Sequence, residues 1–260
     1  MHVAEREHLI LKLLEQRGFI GFQELDQRLD ASPATIRRDL ERMAIQGLIE
    51  RVRGGAKLPT SDASAPDRQS LTGIPFHENL GLNSSQKAAI GLAAARLCSP
   101  GEAVIIDGGS TTLQMCPHLE PLGLQVLTNS LHIVSALLQQ PATRVSVPAG
   151  TLFREQNIIL SPFEDDGMSR FHAAKLFMGA ASIGRHGLMQ ADTLLVQAER
   201  RLLTRVEEII VLVDSSKFRG QAGHLVCRLD EIDVVITDSG LQAEDRLILE
   251  KSCCKIIIAG

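Results

Sequence analysis

Apolar residues recur with the period of an α-helix over the first 45 positions of this chain. Leu9, Ile10, Leu13 and Leu14 share one face of residues 5–16, a segment that stops at Gly18. Phe22, Leu25 and Leu29 mark one side of a second, shorter helix. Ile36, Leu40 and Met43, at i, i+4 and i+7, give a third helix its apolar stripe. Ser32 and Pro33 open that third helix with a hydroxyl that can cap it and a residue suited to its first turn. Gly47 ends it, residues 48–53 read as a strand, and Gly54-Gly55 turns the chain back to Lys57.

Residues 58–73 break the pattern. The stretch from Leu58 to Asp67 is small, polar and holds Pro59 and Pro66, which predicts a linker between a head, residues 1–57, and a body, residues 74–260. In the body, short Val/Ile-rich runs alternate with helical segments. Strands are predicted at 103–107, 125–128, 144–147, 209–214, 232–237 and 255–259. Helices are predicted at 83–97, 112–119, 131–139, 194–206 and 243–251. The first of these helices has Ser84 or Ser85 as its cap and Ala88, Leu92 and Ala95 along one face. Continuous apolar strands separated by helices imply a mostly parallel sheet covered on both sides. The predicted class is therefore α/β: a winged helix-turn-helix followed by a Rossmann-like domain.

Composition narrows the possibilities. The 260 residues, 44% of them apolar, suffice for two packed domains. Met1-His2-Val3-Ala4-Glu5 lacks the features of a signal peptide, and apolar runs such as Ile209 to Val213 are strand-sized, so a cytoplasmic protein without a membrane segment is expected. The five cysteines (98, 116, 227, 253 and 254) contain no CxxC and read as reduced, mostly buried thiols. The eight histidines show no ligand spacing, so neither a metal nor a cofactor is expected. The absence of Trp and Tyr disfavours stacking on single-stranded nucleic acid.

Charge is uneven. The chain carries −4 overall, yet residues 31–58 hold six basic residues against three acids. Arg38 lies nearly opposite the apolar stripe of the third helix, flanked by Ala34 and Arg42, with Arg37 and Thr35 at the edges. A short helix that buries one side and offers Arg and Thr near its N-terminus suits the DNA major groove. The strand and turn that follow would touch phosphate. The predicted DNA-binding set is Ser32, Thr35, Arg37, Arg38, Arg42, Arg51, Arg53 and Lys57. One recognition helix reads few base pairs, so a homo-oligomer, dimer or tetramer, is expected on a double-stranded operator.

In the body, polar motifs sit at three strand ends, where parallel sheets bind ligands. Asp107-Gly108-Gly109-Ser110-Thr111-Thr112 offers glycines for close backbone approach, amides and hydroxyls. Thr128-Asn129-Ser130 occupies a second strand-to-helix junction. Asp214-Ser215-Ser216-Lys217 supplies a cation for a phosphate, or a partner for Asp107 or Asp214. No Gly-Lys-Ser/Thr follows the first glycines, which disfavours a nucleoside triphosphate. The combination favours a phosphorylated sugar or sugar acid. Residues 187–192 read as a further loop at the pocket edge, with Asp192 able to accept a sugar hydroxyl.

The head, with Ser32, Thr35-Ile36-Arg37-Arg38-Asp39-Leu40, Gly47 and Arg53-Gly54-Gly55-Ala56, resembles the DeoR family of bacterial transcriptional regulators. The body resembles that family's sensor domain, itself similar to ribose-5-phosphate isomerase. The matching residues are Pro75-Phe76, Lys87, Asp107, Gly109 to Thr112, Thr128 to Ser130, Gly150, Lys175 with Phe177, and Asp214 to Phe218. The resemblance implies a repressor of a carbohydrate-use operon, with Asp107, Ser110 to Thr112, Thr128 to Ser130, Lys175 and Lys217 in the effector pocket; Gly109 and Gly150 complete the expected set. The chain departs from the family pattern at Ala149, Ala174 and Asn79, where Gly, Asp and Arg are usual. The rival expectation is a sugar-phosphate isomerase fused to a DNA-binding head, with Asp107, Asp214, Glu199 or His172 as base. No isomerase active-site pattern surrounds those residues, so the chain is expected not to be an enzyme.

Overall fold

The computed structural model describes residues 3–17, 19–29, 31–45, 48–52, 55–57, 76–161, 167–220, 222–252 and 254–260. Contacts divide the chain into two units, Met1–Arg68 and Gln69–Gly260.

In the first unit, α1 (Val3–Arg17), α2 (Phe22–Arg28) and α3 (Pro33–Ile45) pack around Ile10, Leu14, Leu25, Ile36 and Met43, all fully buried. The three apolar stripes meet in one core, with Leu9 and Phe22 half-buried at its edge. Ser32 caps α3, its Oγ accepting the Thr35 N–H at 3.2 Å. Three short strands, β1 (Phe19–Gly21), β2 (Glu50–Val52) and β3 (Gly55–Lys57), form an antiparallel sheet of order β1-β3-β2. The sequence pattern does not reveal β1. Its pairing needs a glycine at position 55, where a Cβ would lie 2.1 Å from the Ile20 carbonyl oxygen. Gly47, Arg53, Gly54 and the expected linker lie outside the described residues.

The second unit runs α4 (Phe76–Gly81), α5 (Ser84–Ala95), β4 (Ala103–Ile106), β5 (Gln125–Leu127), α6 (Leu131–Leu137), β6 (Arg144–Ser146), β7 (Thr151–Phe153), β8 (Ile158–Leu160), β9 (Ala173–Met178), β10 (Ser182–Gly184), β11 (Gly187–Gln190), α7 (Thr193–Leu203), β12 (Val206–Leu212), β13 (His224–Cys227), β14 (Val234–Asp238), α8 (Ala243–Lys251) and β15 (Lys255–Ala259). Seven strands form an all-parallel sheet of order β15-β14-β12-β9-β4-β5-β6. Successive residues point to opposite faces: Val104 and Ile106 join the core beneath Ile90 and Met115, and Ile105 joins Leu176, Val211 and Val235 on the other side. The chain steps outward from β4 through β6 toward one edge and from β9 through β15 toward the other. Its direction reverses between β4 and β9, where such sheets open a crevice at their carboxyl ends.

Several elements differ from expectation. The residue at the start of α5 is Asn83, in left-handed geometry (φ 52°), not Ser84 or Ser85. The helix buries Lys87, Ile90, Gly91 and Ala94 with Ala95, while Ala88 is exposed. Residues Thr112–His118 form a 3₁₀ helix, with Pro117 removing a backbone donor needed to extend an α-helix. The expected loop at 187–192 is the strand β11 followed by the start of α7. The central strand β9 escaped notice because Lys175 interrupts its apolar run.

Candidate functional site

The exposed face of α3 follows from how the helix is anchored. Asp39, almost fully buried, accepts from Arg6 Nε at 2.6 Å and from Arg42 Nη2 at 2.5 Å, and Arg42 Nε reaches Glu7 at 2.8 Å. Burial alone would raise the Asp39 carboxyl, but the hydrogen bonds from Arg6 and Arg42 hold it below its ordinary value. This network ties α3 to α1. Arg42, on the expected DNA-binding face, is therefore engaged within the head. Arg37 is exposed and lies over the Phe22 ring, 5.0 Å from its centroid. Arg38 is exposed and has no side-chain partner among the described residues. Lys57 sits on β3; the Arg51 side chain and Arg53 lie outside the described residues.

In the second unit, a cavity of about 350 Å³ opens at the reversal point between β4 and β9. Asp107, Gly108, Gly109, Ser110 and Thr111 form one wall, Gly179 to Ala181 after β9 another, and Asn129, Lys217, Gln190 and Glu199 contribute polar groups. Asn129 clasps two strand ends: its Oδ1 accepts the Gly108 N–H at 2.9 Å, and its Nδ2 donates to Asp107 Oδ1 at 3.1 Å. Gly108 cannot carry a side chain, since a Cβ would meet Ile158 Cγ2 at 2.6 Å. The backbone amides of Gly109, Ser110 and Thr111 donate to no acceptor among the described residues. Among the described residues lining the cavity, Lys217 is the single cation, and it pairs with neither Asp107 nor Asp214.

Electrostatics set this cavity apart. Burial pushes the Asp107 carboxyl up to about 6, against the pull of the Gly108 and Asn129 hydrogen bonds. Burial, reinforced by the charge of Asp107, raises Glu199 well above the usual carboxylate range, opposed by a hydrogen bond from Gln190. Lys87 is fully buried behind the site, its Nζ donating to the Asn79 carbonyl and, at 3.2 Å, to Asn79 Oδ1. Burial lowers its pKa, the Asp214 charge opposes this, and Lys217 adds to the lowering.

Other expected residues have different places. Thr112 Oγ1 donates to the Asp107 carbonyl at 2.8 Å and so holds the loop. Thr128 Oγ1 accepts the Ser130 N–H, and Ser130 Oγ caps α6 by accepting from Ile133. Asp192 caps α7, accepting the Leu194 N–H at 2.8 Å. Gly150 lies against the β7–β8 hairpin, where a Cβ would come within 2.4 Å of the Leu160 carbonyl oxygen. Lys175 pairs with Glu102 at the amino ends of β9 and β4, the opposite end of the sheet from the cavity. Asp214, Ser215 and Ser216 line a separate polar cavity of about 330 Å³ with Asn83 and Asp238. The sequence offered Glu199 only as a base for the rival isomerase and Gln190 only as part of the 187–192 loop; as cavity-lining polar groups they emerge from the fold. One signal was present: Glu199 follows Leu195 by four residues, an acid on the apolar side of α7.

The molecule thus has a helix-turn-helix head with an exposed arginine face, and an α/β domain with a polar cavity at its topological switch point. Residues 6–62 match the DeoR-like helix-turn-helix domain and residues 82–239 the DeoR C-terminal sensor domain, and the chain belongs to the DeoR family of transcriptional regulators. It is 32% identical over 257 residues to the HTH-type transcriptional regulator UlaR of Shigella dysenteriae serotype 1, covering 99% of each chain. It is 33% identical over 244 residues to UlaR of Escherichia coli O139:H28, covering 94% of each. It is accordingly a regulator rather than an isomerase. A ribose 5-phosphate isomerase from Methanocaldococcus jannaschii aligns with a TM-score of 0.38 and 16% identity, over 52% of this chain and 54% of that one. That partial likeness carries no inference about activity. No described helix is long and apolar enough to cross a membrane.

Proposed function

We infer that this regulator is a cytoplasmic, homo-oligomeric repressor of carbohydrate-use genes, controlled by a phosphorylated sugar or sugar acid bound in the 350 Å³ cavity. The head, residues 1–57, binds operator DNA; residues 58–73 link it to the effector domain, residues 74–260. Arg38 reads base edges, with Ser32, Thr35 and Arg37 beside it. Arg51, Arg53 and Lys57 grip phosphate. Arg42 supports α3 from within the head.

One observation carries the effector reading: three consecutive unfilled amides, at Gly109, Ser110 and Thr111, share a cavity with the Lys217 ammonium. Such amides and a cation suit a phosphate. Asp107 and Asn129, lining the same cavity, suit hydroxyls. We assign effector contacts to Asp107, Gly109, Ser110, Thr111, Asn129 and Lys217. Thr112, Thr128, Ser130, Gly150, Lys175 and Asp192 shape or support the fold around them.

A thermal-shift titration of the full chain against pentose and hexose phosphates, their unphosphorylated sugars and inorganic phosphate tests this. Binding to the native state raises the melting point by mass action. A phosphorylated sugar should raise it in the wild type and not in Thr111→Glu, whose added charge repels the phosphate. Equal shifts in both proteins would remove the Asp107–Thr111 loop from the site.

A further inference from the structure

We propose that Glu199 is a specificity-determining residue of the cavity, its Oε2 taking a hydroxyl of the effector's polyol chain. This rests on the reading of the cavity as a phosphorylated-sugar site and names the chemistry of its far end. Glu199 is only 3% exposed and lines the cavity from α7. Its Oε1 accepts from Gln190 Nε2 at 2.6 Å, while its buried Oε2 has no hydrogen-bond partner among the described residues. A buried carboxyl oxygen left without a partner is costly unless a ligand fills it.

The surroundings fix which form of the group is present and which ligand it takes. Asp107, lining the same cavity, is the charge that acts on Glu199, and it is of the same sign. No cation offsets it on this side: Lys217 is the single cation lining the cavity among the described residues. Burial and the like charge of Asp107 both favour the neutral acid, whose Oε2 would carry a donating hydroxyl while Oε1 accepts from Gln190. A neutral acid beside a carboxylate favours an uncharged, hydroxylated end. It disfavours a second carboxylate, which would meet Asp107 with no compensating cation. The effector class is then an aldose or polyol phosphate rather than a phosphorylated sugar acid. A neutral donor is replaceable by an amide, which gives the substitution test its sign.

Calorimetry on the full chain at pH 7, with inorganic phosphate, a panel of pentose and hexose phosphates and 6-phosphogluconate, decides the matter. Glu199→Leu should bind inorganic phosphate as the wild type does and lose about tenfold or more in affinity for the preferred sugar phosphate. Glu199→Gln, which keeps a donor, should stay within about threefold of wild type. The uncharged sugar phosphates should exceed 6-phosphogluconate in affinity. Wild-type sugar-phosphate affinity in Glu199→Leu overturns the proposal while leaving the phosphate site standing. So does a wild-type protein that binds no sugar phosphate more tightly than inorganic phosphate, or that prefers 6-phosphogluconate. Loss in Glu199→Gln equal to that in Glu199→Leu, with both proteins melting as the wild type does, overturns the neutral-donor role. Failure of every probe, inorganic phosphate included, removes the cavity reading itself, and the role of Glu199 with it.

Discussion

The Arg6 guanidinium on α1 and the Asp39 carboxylate on α3 form a buried ion pair, with Nε 2.6 Å from Oδ2. Asp39 directly follows Arg37 and Arg38. Within one turn of α3 the chain thus points an acid inward as a clamp and exposes an arginine on the other side. Removing the acid takes the hydrogen-bonded carboxylate away from the buried Arg6 guanidinium. Asp39→Ala should therefore destabilise the head by on the order of 1–3 kcal/mol. Chemical denaturation followed by far-ultraviolet circular dichroism checks this; an unchanged midpoint would show that the pair does not hold α3 in place.

Arg38 and Arg42 should separate cleanly. Arg38→Ala should lose about 1–3 kcal/mol of operator affinity for each base or phosphate contact, with an unchanged melting point. Arg42→Ala should lower the melting point, because its guanidinium bridges Glu7 and Asp39. Mobility-shift titration and thermal melting of both variants provide the comparison. An Arg38→Ala protein that binds like the wild type would place the reading face elsewhere.

Lys57 on β3 should act through phosphate. Lys57→Ala should weaken binding to operator and random DNA alike, and flatten the log–log salt dependence by about one unit. A variant that changes operator preference while keeping its salt slope would show that this strand reads bases.

Asp107 should leave a signature in the pH dependence of stability. Burial raises its carboxyl from 3.8 to about 6 in the folded chain. Its contribution to stability is then full below about pH 4 and is lost as pH rises through 6. Asp107→Asn removes that loss. The variant should gain on the wild type as pH rises from 4 to 6, reaching on the order of 3 kcal/mol above that range. Parallel stability–pH curves for the two proteins would contradict a buried, ionisable Asp107.

The head was nearly fully legible in the sequence, because Ile36, Leu40, Met43 and the Ser32 cap obey local rules. The strand β1 was not, since Phe19–Gly21 has meaning only through its partner Gly55, more than thirty residues away. In the body, every strand of the parallel sheet but β9 was readable, while the short strands outside it, the Ile-rich β8 among them, were not. Lys175 sits in the middle of the sheet because Glu102 meets it there, a partnership without local trace. The strand-end motifs at Asp107 and Asn129, singled out in the sequence, line one cavity in the fold. Glu199 was named only as a possible isomerase base, and its place among the effector-cavity residues was not legible because it looks like an ordinary helix residue until the fold buries it.

The central claim is that the Gly109–Thr111 cradle controls the head through a phosphorylated sugar. The most direct test is operator affinity of the full chain, wild type and Thr111→Glu, with and without the sugar phosphate that shifts the wild-type melting point most. Both proteins should bind operator equally well without ligand, since the head is unchanged. The sugar phosphate should weaken operator binding by the wild type and leave Thr111→Glu unaffected. By linkage, operator should weaken wild-type effector affinity by the same factor. Operator affinity that does not change when the wild-type cavity is saturated, or that changes equally in Thr111→Glu, would contradict the account.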